Sequence, residues 1–427
     1  MSIAKTMYTG VSGLSAESDA LGIVGDNIAN SNTVGFKRSR AQFEDQLGGA
    51  IGSAQGGGVR MTRSQQIFAQ GSLRTTGQPT DLALSGDGFF VVKGTVSGTT
   101  GDFYTRDGQL TVRNDGTLVN PADMPVQGYK VNPDGSFSSS LGDITLPPAG
   151  IPPRATNKLT VTANLDAAAT TPVAAWDPQN PGTTSNLSTS MTTYDSLGNA
   201  HTMDVYFRKT SAGSWEYHAL ARGADVVGGV AGTNVEVATG QLAFTTSGAL
   251  QAVTPGAGGT VSFNGADPNQ PLNFEFGKSI AAGGTGLEGS TQFGSPSAIS
   301  GQAQDGYTSG DLSGVKVDGD GVVRGVYSNG QTAAAGKLAI AKFRANEGLG
   351  RAGHNLWVAT EASGDGALGA VGTGGRGSVV SGALEQSNVD IAEQFVGLIT
   401  HQRSFQANSK TITTADQMLQ ELMTIKQ

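Results

Sequence analysis

The sequence predicts a multi-domain, mainly β protein with a long α-helix at each terminus and nested, discontinuous domains, one β domain being inserted at the tip. Three observations carry this reading. Apolar and small residues recur at heptad spacing at both ends of the 427-residue chain. Period-two segments bounded by Asp-Gly turns fill the middle. The character of residues 81–146 returns after an intervening stretch of different composition.

At the C-terminus, Ile391, Phe395, Leu398, Phe405, Ser409, Ile412, Leu419 and Met423 trace one side of a long helix. Asp390 is placed to accept from the first free backbone amides, and Glu393 to reach back in a capping box. Gln402, Ser409 and Asp416 interrupt the seam, so an autonomous dry coiled coil is not expected. At the N-terminus, Met7, Leu14, Leu21 and Ile28 recur every heptad, with Ala4, Val11, Ser18 and Gly25 between them. The two half-seams form either a helical hairpin inside one core or a hairpin that also packs against copies of itself. Gly10, Gly13, Gly22 and Gly25 favour the second, because each weakens an isolated helix by up to about 1 kcal/mol relative to alanine. Such a helix orders best against partners.

Sixty-four glycines and only 6% aromatic residues describe a turn-rich, multi-lobed chain. A net charge of −8 argues against nucleic acid. No window is long and apolar enough for a membrane span, so no membrane insertion is expected. There is no cysteine, hence no disulfide or thiolate metal site, and no cleavable secretory signal is visible at the start.

In chain order, residues 1–30 and 388–427 make the terminal helical domain, and 31–80 with 349–387 an extended connector. Residues 81–146 with 290–348 make an inner β domain, and 154–289 the inserted outer β domain. The connector contains a basic patch, Lys37-Arg38-Ser39-Arg40, which reads either as a solvated face or as a subunit contact. It also contains a glycine-rich stretch at 48–58 and a polar run from 60 to 79 with anchors at Met61, Ile67, Phe68 and Leu73. The inner domain shows Leu82, Leu84 and Phe89-Phe90-Val91-Val92 as strands, with turns at Asp87-Gly88, Asp107-Gly108, Asp115-Gly116 and Asp134-Gly135. Pro147, Pro148, Pro152 and Pro153 cannot continue a sheet and read as a stiff linker and hinge, with a return partner near 289–296.

No catalytic, cofactor or metal site is expected. The four histidines are scattered, and no zinc-protease, nucleophile-elbow or phosphate-loop pattern occurs. The run Gly372-Thr373-Gly374-Gly375-Arg376-Gly377 matches a dinucleotide fingerprint by letters only, since no strand is expected before it and no helix directly after. Asp318-Gly319-Asp320-Gly321 reads as hairpin turns, because Asn329 stands where a calcium loop needs its glutamate.

Three motifs resemble those of the bacterial flagellar rod and hook proteins. The first is Asn27-Ile28-Ala29-Asn30-Ser31-Asn32-Thr33-Val34-Gly35-Phe36-Lys37. The second is Gly86-Asp87-Gly88-Phe89-Phe90-Val91-Val92 with Tyr104-Thr105-Arg106-Asp107-Gly108. The third is Ser387-Asn388-Val389-Asp390 with Gln406-Ala407-Asn408-Ser409-Lys410. The inserted lobe and Gln304-Asp305-Gly306-Tyr307-Thr308-Ser309-Gly310 resemble hook-type members more than the shorter distal rod type. The resemblance implies a non-enzymatic, extracellular flagellar subunit that polymerises with itself into a bendable helical tube. It implies contact with the distal rod, the hook-filament junction and the hook cap, and export through the flagellar type III apparatus without a cleaved signal. A distal rod subunit, or a secreted β-rich adhesin or glycan-active protein, are the alternatives.

Overall fold

The period-two segments are strands in a computed structural model of the chain, which describes residues 3–47 and 56–425. The glycine-rich run at 48–55 lies outside the described residues. Helices Ile3–Ala29 and Ile391–Ile425 occupy the two ends, and the fold between them is mainly β. The chain divides into two units: Met1–Pro148, Ser313–Val326 and Thr332–Gln427 form one, Ala149–Leu312 and Tyr327–Gln331 the other.

In the first unit, strand Thr332–Lys342 is the hub of the sheet, pairing with Val322–Tyr327, Gln127–Val131, Ala367–Ala370 and Phe89–Val96. Alternation along Phe89–Val96 fills both faces. Phe90 and Val92 join Leu82, Leu84, Phe103 and Leu338 on one side; Phe89 and Val91 join Tyr104, Phe343 and Trp357 on the other. Gly88 must be glycine, because its φ is +130° and a Cβ there would lie 2.3 Å from Ile340. The Asp115-Gly116 and Asp134-Gly135 turns form with positive φ at each glycine. Leu82–Ser85, by contrast, pairs with the distant Ser378–Ser381.

The connector is more ordered than its polarity suggested. Ser39–Leu47 and Gly56–Gln66 form an antiparallel hairpin, whose Gly58 lies against Ser12 and Thr9 of the N-terminal helix. Phe68 stands edge-on to Phe89 and Trp357, with ring centroids 5.6 and 5.0 Å away. The glycine fingerprint is also corrected, since strand Ala367–Ala370 does precede it and strand Ser378–Ser381 follows. Arg376 closes that turn on itself, donating to Thr373 O at 3.0 Å and Ala367 O at 2.9 Å. Asp318 likewise binds Arg324 at 2.7 Å within its hairpin.

In the second unit, Leu187–Tyr194, Ala200–Ser211, Ser214–Arg222, Asn234–Phe244 and Leu250–Gly258 form a five-stranded antiparallel meander. It packs on a sheet of Asn273–Glu275, Lys158–Asn164 and Ala298–Gln304 around Phe207, Trp215, Phe263 and Phe276. The return boundary therefore lies near residue 312, not 289. Ala298–Gln304 belongs here because it pairs with Lys158–Asn164, and because Asp305 accepts from the backbone of Asn157 and Lys158 at 2.8 and 2.9 Å. Its polar, glycine-containing sequence gave no sign of which sheet it joins. Pro147 and Pro148 end the first unit, whereas Pro152 and Pro153 fall inside the second, between the Gly150–Ile151 strand and an Arg154–Tyr307 bridge.

Candidate assembly interface

The two terminal helices run antiparallel along each other. Gly10 faces Ile412 and Gly13 faces Asn408, so closely that a Cβ would lie 2.8 and 2.6 Å from those side chains. Further along, His401 Nδ1 and Glu17 Oε2 are 2.6 Å apart, and Asn27 donates to Gln394 at 2.9 Å. The buried stripe of the N-terminal helix is Gly10, Gly13, Ala16, Ala20, Val24 and Asn27, a row of mostly small residues that lets the backbones approach. Among its described side chains, the C-terminal helix contributes Gln394 and Ala415 as buried positions.

This stripe is not the heptad seam read from the sequence. Met7, Leu14, Leu21, Ile28, Leu398, Ile412 and Leu419 are half-buried along its flanks, while Val11, Ile391, Phe395, Phe405 and Met423 are exposed. Ala4 lies in the helix, but its side chain is outside the described residues. Phe395 is 49% exposed, Val396 66% and Tyr8 75%. Large apolar side chains thus stand in solvent on a chain whose small residues make the internal contact, because the closest approach between helices selects glycine and alanine rather than leucine. Among the described residues no helix is long and apolar enough to cross a membrane, and the exposed apolar groups are interrupted by Gln402, Ser409 and Asp416.

The motif residues converge where the helices meet the β layer. Asn27 uses its whole amide: Oδ1 accepts from Ser39 N at 2.8 Å, and Nδ2 donates to Ser39 O at 2.7 Å as well as to Gln394. Asn30 turns back to Asp26, donating to its carbonyl and its carboxylate at 2.9 Å each, and so closes the helix end. Asn32 is exposed. Gly35 has φ +70° and a Cβ would lie 2.7 Å from the Arg106 backbone. Phe36 is buried beneath the Arg351 guanidinium, 5.6 Å from its ring centre. Asn388 accepts from Arg38 N at 2.8 Å and donates to Ile67 O and Ala69 O at 2.7 and 2.9 Å.

At the centre is an ion cluster that the basic patch concealed. Lys37 is not on a solvated face. Its ammonium lies 2.6 Å from Glu385, and both side chains are fully buried. Arg106 reaches the other oxygen of Glu385 at 3.2 Å and donates to Gly86 O at 2.8 Å. Burial pushes the Lys37 ammonium down from its ordinary range, and the neighbouring Glu385 carboxylate opposes that shift. Burial likewise lowers Arg106, again against Glu385. Arg38 does point outward, pairing at 2.5 Å with Glu393. The capping box is accordingly half formed: Asp390 caps the amides of Ala392 and Glu393 at 2.9 and 3.2 Å, but Glu393 is turned to Arg38.

Asn388→Ala should therefore take the side-chain partner from the Arg38 amide and the Ile67 carbonyl, while Ala69 O keeps Lys37 Nζ at 2.9 Å, lowering stability by about 1–3 kcal/mol. A denaturant midpoint unchanged from the parent would show that water replaces these bonds. Among the described residues no group of three or more His, Asp or Glu side chains is placed to hold a metal. What converges here is hydrogen bonding and charge that fix the chain's two ends to its body, beside apolar helix faces left open.

Family models match along the chain in an order that parallels this architecture. Residues 7–37 match the flagella basal body rod protein model, and 83–164 the flagellar hook protein FlgE/F/G D1 domain. Residues 164–307 match the flagellar basal body protein FlaE D2 domain, and 380–425 the flagellar basal body rod FlgEFG protein C-terminal model. These matches define an axial protein of the flagellum. The flagellar hook protein FlgE of Salmonella typhimurium is 35% identical over 97% of this chain and 98% of its own length. That of Treponema pallidum is 33% identical over 99% of both. The chain belongs to the flagellar hook protein family, a family of structural proteins serving motility. A crystal structure of Helicobacter pylori flagellar hook protein FlgE2 shares the fold, with TM-score 0.53 and 15% identity over 73% of this chain and all of that one.

Proposed function

We propose that the chain polymerises with itself into the helical, bendable tube of the hook, which carries torque from rod to filament. The observation that carries this is the pair of terminal helices, joined inside the subunit by small residues while Tyr8, Val11, Phe395, Val396 and Ile399 stay exposed. Those faces suit copies of the same hairpin, and a contact between unlike faces builds an open helix when its rotation does not close a ring. Ala4, Met7, Leu14, Leu21, Ile28, Ile391, Leu398, Phe405, Ile412, Leu419 and Met423 line or flank that contact. Of the motif residues, Asn27, Asn30, Gly35, Phe36 and Asn388 hold the hairpin to the body, Gly88, Phe89 and Phe90 belong to the body they meet, and Asn32 faces outward. Pro147 and Pro148, where the chain leaves the first unit, take the hinge role.

On this reading the neighbours at the two ends of the tube are the distal rod and the hook-filament junction proteins. A cap protein guides assembly outside the cell. The weak N-terminal helix passes the type III export apparatus as flexible chain and orders only on incorporation.

Deleting residues 1–28 should abolish polymerisation while leaving the second unit folded. Immuno-electron microscopy with antibody to residues 154–289 should label a short curved segment between cell body and filament. Label on a straight axle inside the envelope would instead make this a rod subunit, and diffuse surface label would remove the axial role.

A further inference from the structure

The second unit contains two histidines, His201 and His218, and each ring is held between two carboxylates and against an aromatic face. His201 Nε2 lies 3.2 Å from Asp195 and Nδ1 lies 3.5 Å from Asp225. Its ring stacks on Phe263, with centroids 3.9 Å apart and planes 6° from parallel. His218 Nδ1 lies 2.7 Å from Glu236, and its buried Nε2 has no hydrogen-bond partner, with Glu216 at 3.8 Å. Its ring stacks on Trp176 at 4.0 Å and 13°.

A neutral imidazole carries one N–H, so it donates to one carboxylate and turns a lone pair toward the other. A protonated ring donates on both sides, and its charge is attracted to the aromatic face beneath it. The geometry points to a pair of proton-operated clasps, His201 and His218, that tighten the second unit as the pH of its surroundings falls.

What each clasp holds follows from the partners. His201 ties the Asp195–Asn199 turn to the loop that carries Asp225. Asp195 is already fully committed there, accepting from Leu197 N, Asn199 N and Asn199 Nδ2 at 2.8–2.9 Å. Burial works against its ionisation, yet these bonds and His201 keep its carboxyl below the usual range. His218 ties down the arm carrying Trp176, whose indole N–H donates to the same Glu236 at 2.8 Å.

The charged and titratable groups facing each ring set the balance. Around His201 they are Asp195 from the turn and Asp225 from the loop, with Phe263 uncharged. Around His218 they are Glu216 on its own strand, Glu236 on the next, Tyr206 opposite it in register and Arg208 beyond. Arg208 competes for Glu216 from 3.6 Å, but it also grips Ala174 O at 2.9 Å, so it anchors the arm at any pH. Carboxylates therefore outnumber cations at both rings. The clasps belong to the folded chain itself; only their consequence for a tube bathed in the external medium rests on the hook reading.

Hydrogen exchange of the intact chain at pH about 8 and about 5.5 tests this, after correction for the intrinsic pH dependence of exchange. Peptides covering 170–180 and 223–230 should exchange about twofold to fivefold more slowly at the lower pH, the effect of an ion pair of ordinary strength. The double variant His201→Gln, His218→Gln should lose that response. A His354→Gln, His401→Gln variant should keep it. No slowing in the parent chain, which needs no variant to read, would overturn the proposal, and so would a response that survives in the first double variant.

Discussion

Glu385→Ala is expected to destabilise the first unit by about 3–5 kcal/mol, the usual cost of leaving buried charge without its partner. Among the described residues Glu385 is the one carboxylate that touches both Lys37 and Arg106, and it also accepts from Gly71 N at 2.9 Å. Removing it leaves two cations in a site closed to water. Native-state hydrogen exchange of strand Phe89–Val96 measures the loss, since Arg106 lies over the Phe89 ring at 5.3 Å. Replacing Lys37, Arg106 and Glu385 together with apolar residues should restore much of the stability, because the desolvation cost leaves with the charges. A loss below about 1 kcal/mol for Glu385→Ala would mean that water enters the site and screens it. The sign with pH follows from Lys37. Its pKa is lowered in the folded chain, so the unfolded chain binds that proton more tightly. The group's contribution to stability should therefore rise with pH in the window just below 10.5.

The four glycines of the N-terminal helix should divide into two pairs. Gly10→Val and Gly13→Val place side-chain atoms where Ile412 and Asn408 already stand, and should cost about 1–3 kcal/mol each by forcing the helices apart. Gly22→Ala and Gly25→Ala meet nothing within 4 Å in the subunit and should stabilise the isolated chain by up to about 1 kcal/mol each. Circular dichroism of the helices during thermal unfolding reads both. Polymerisation then separates two roles for the second pair. If Gly22 and Gly25 are where a neighbouring copy approaches, the alanine variants will be more helical as monomers yet poorer at forming tubes. Tubes of normal yield from those variants would move the inter-subunit contact to another face of the hairpin.

Much of the architecture was legible in the chain. Period two with Asp-Gly turns specified the strands around Phe89, because side-chain alternation and positive-φ glycines are local requirements. The heptad recurrence specified two long helices for the same reason. The motif Asn27 to Lys37 was visible as a pattern of asparagine and glycine, and Asn27, Asn30, Gly35, Phe36 and Lys37 each have a contact that explains them.

Pairing across long sequence distance was not legible. Nothing in Lys37-Arg38-Ser39-Arg40 distinguishes the buried lysine from the arginine that faces outward, since their surroundings are supplied by Glu385 and Glu393, far along the chain. Nor could the polar strand Ala298–Gln304 be assigned to its sheet before its ladder with Lys158–Asn164 was seen.

By itself, then, the sequence determined the two long terminal helices and the strands bounded by Asp-Gly turns, which follow from local periodicity. Only the tertiary structure decided which side of those helices is buried. The backbones approach along Gly10, Gly13, Ala16 and Ala20, and close packing there keeps the larger seam residues half-buried on its flanks, as Leu14 and Leu21 are, or exposed, as Val11 and Phe395 are.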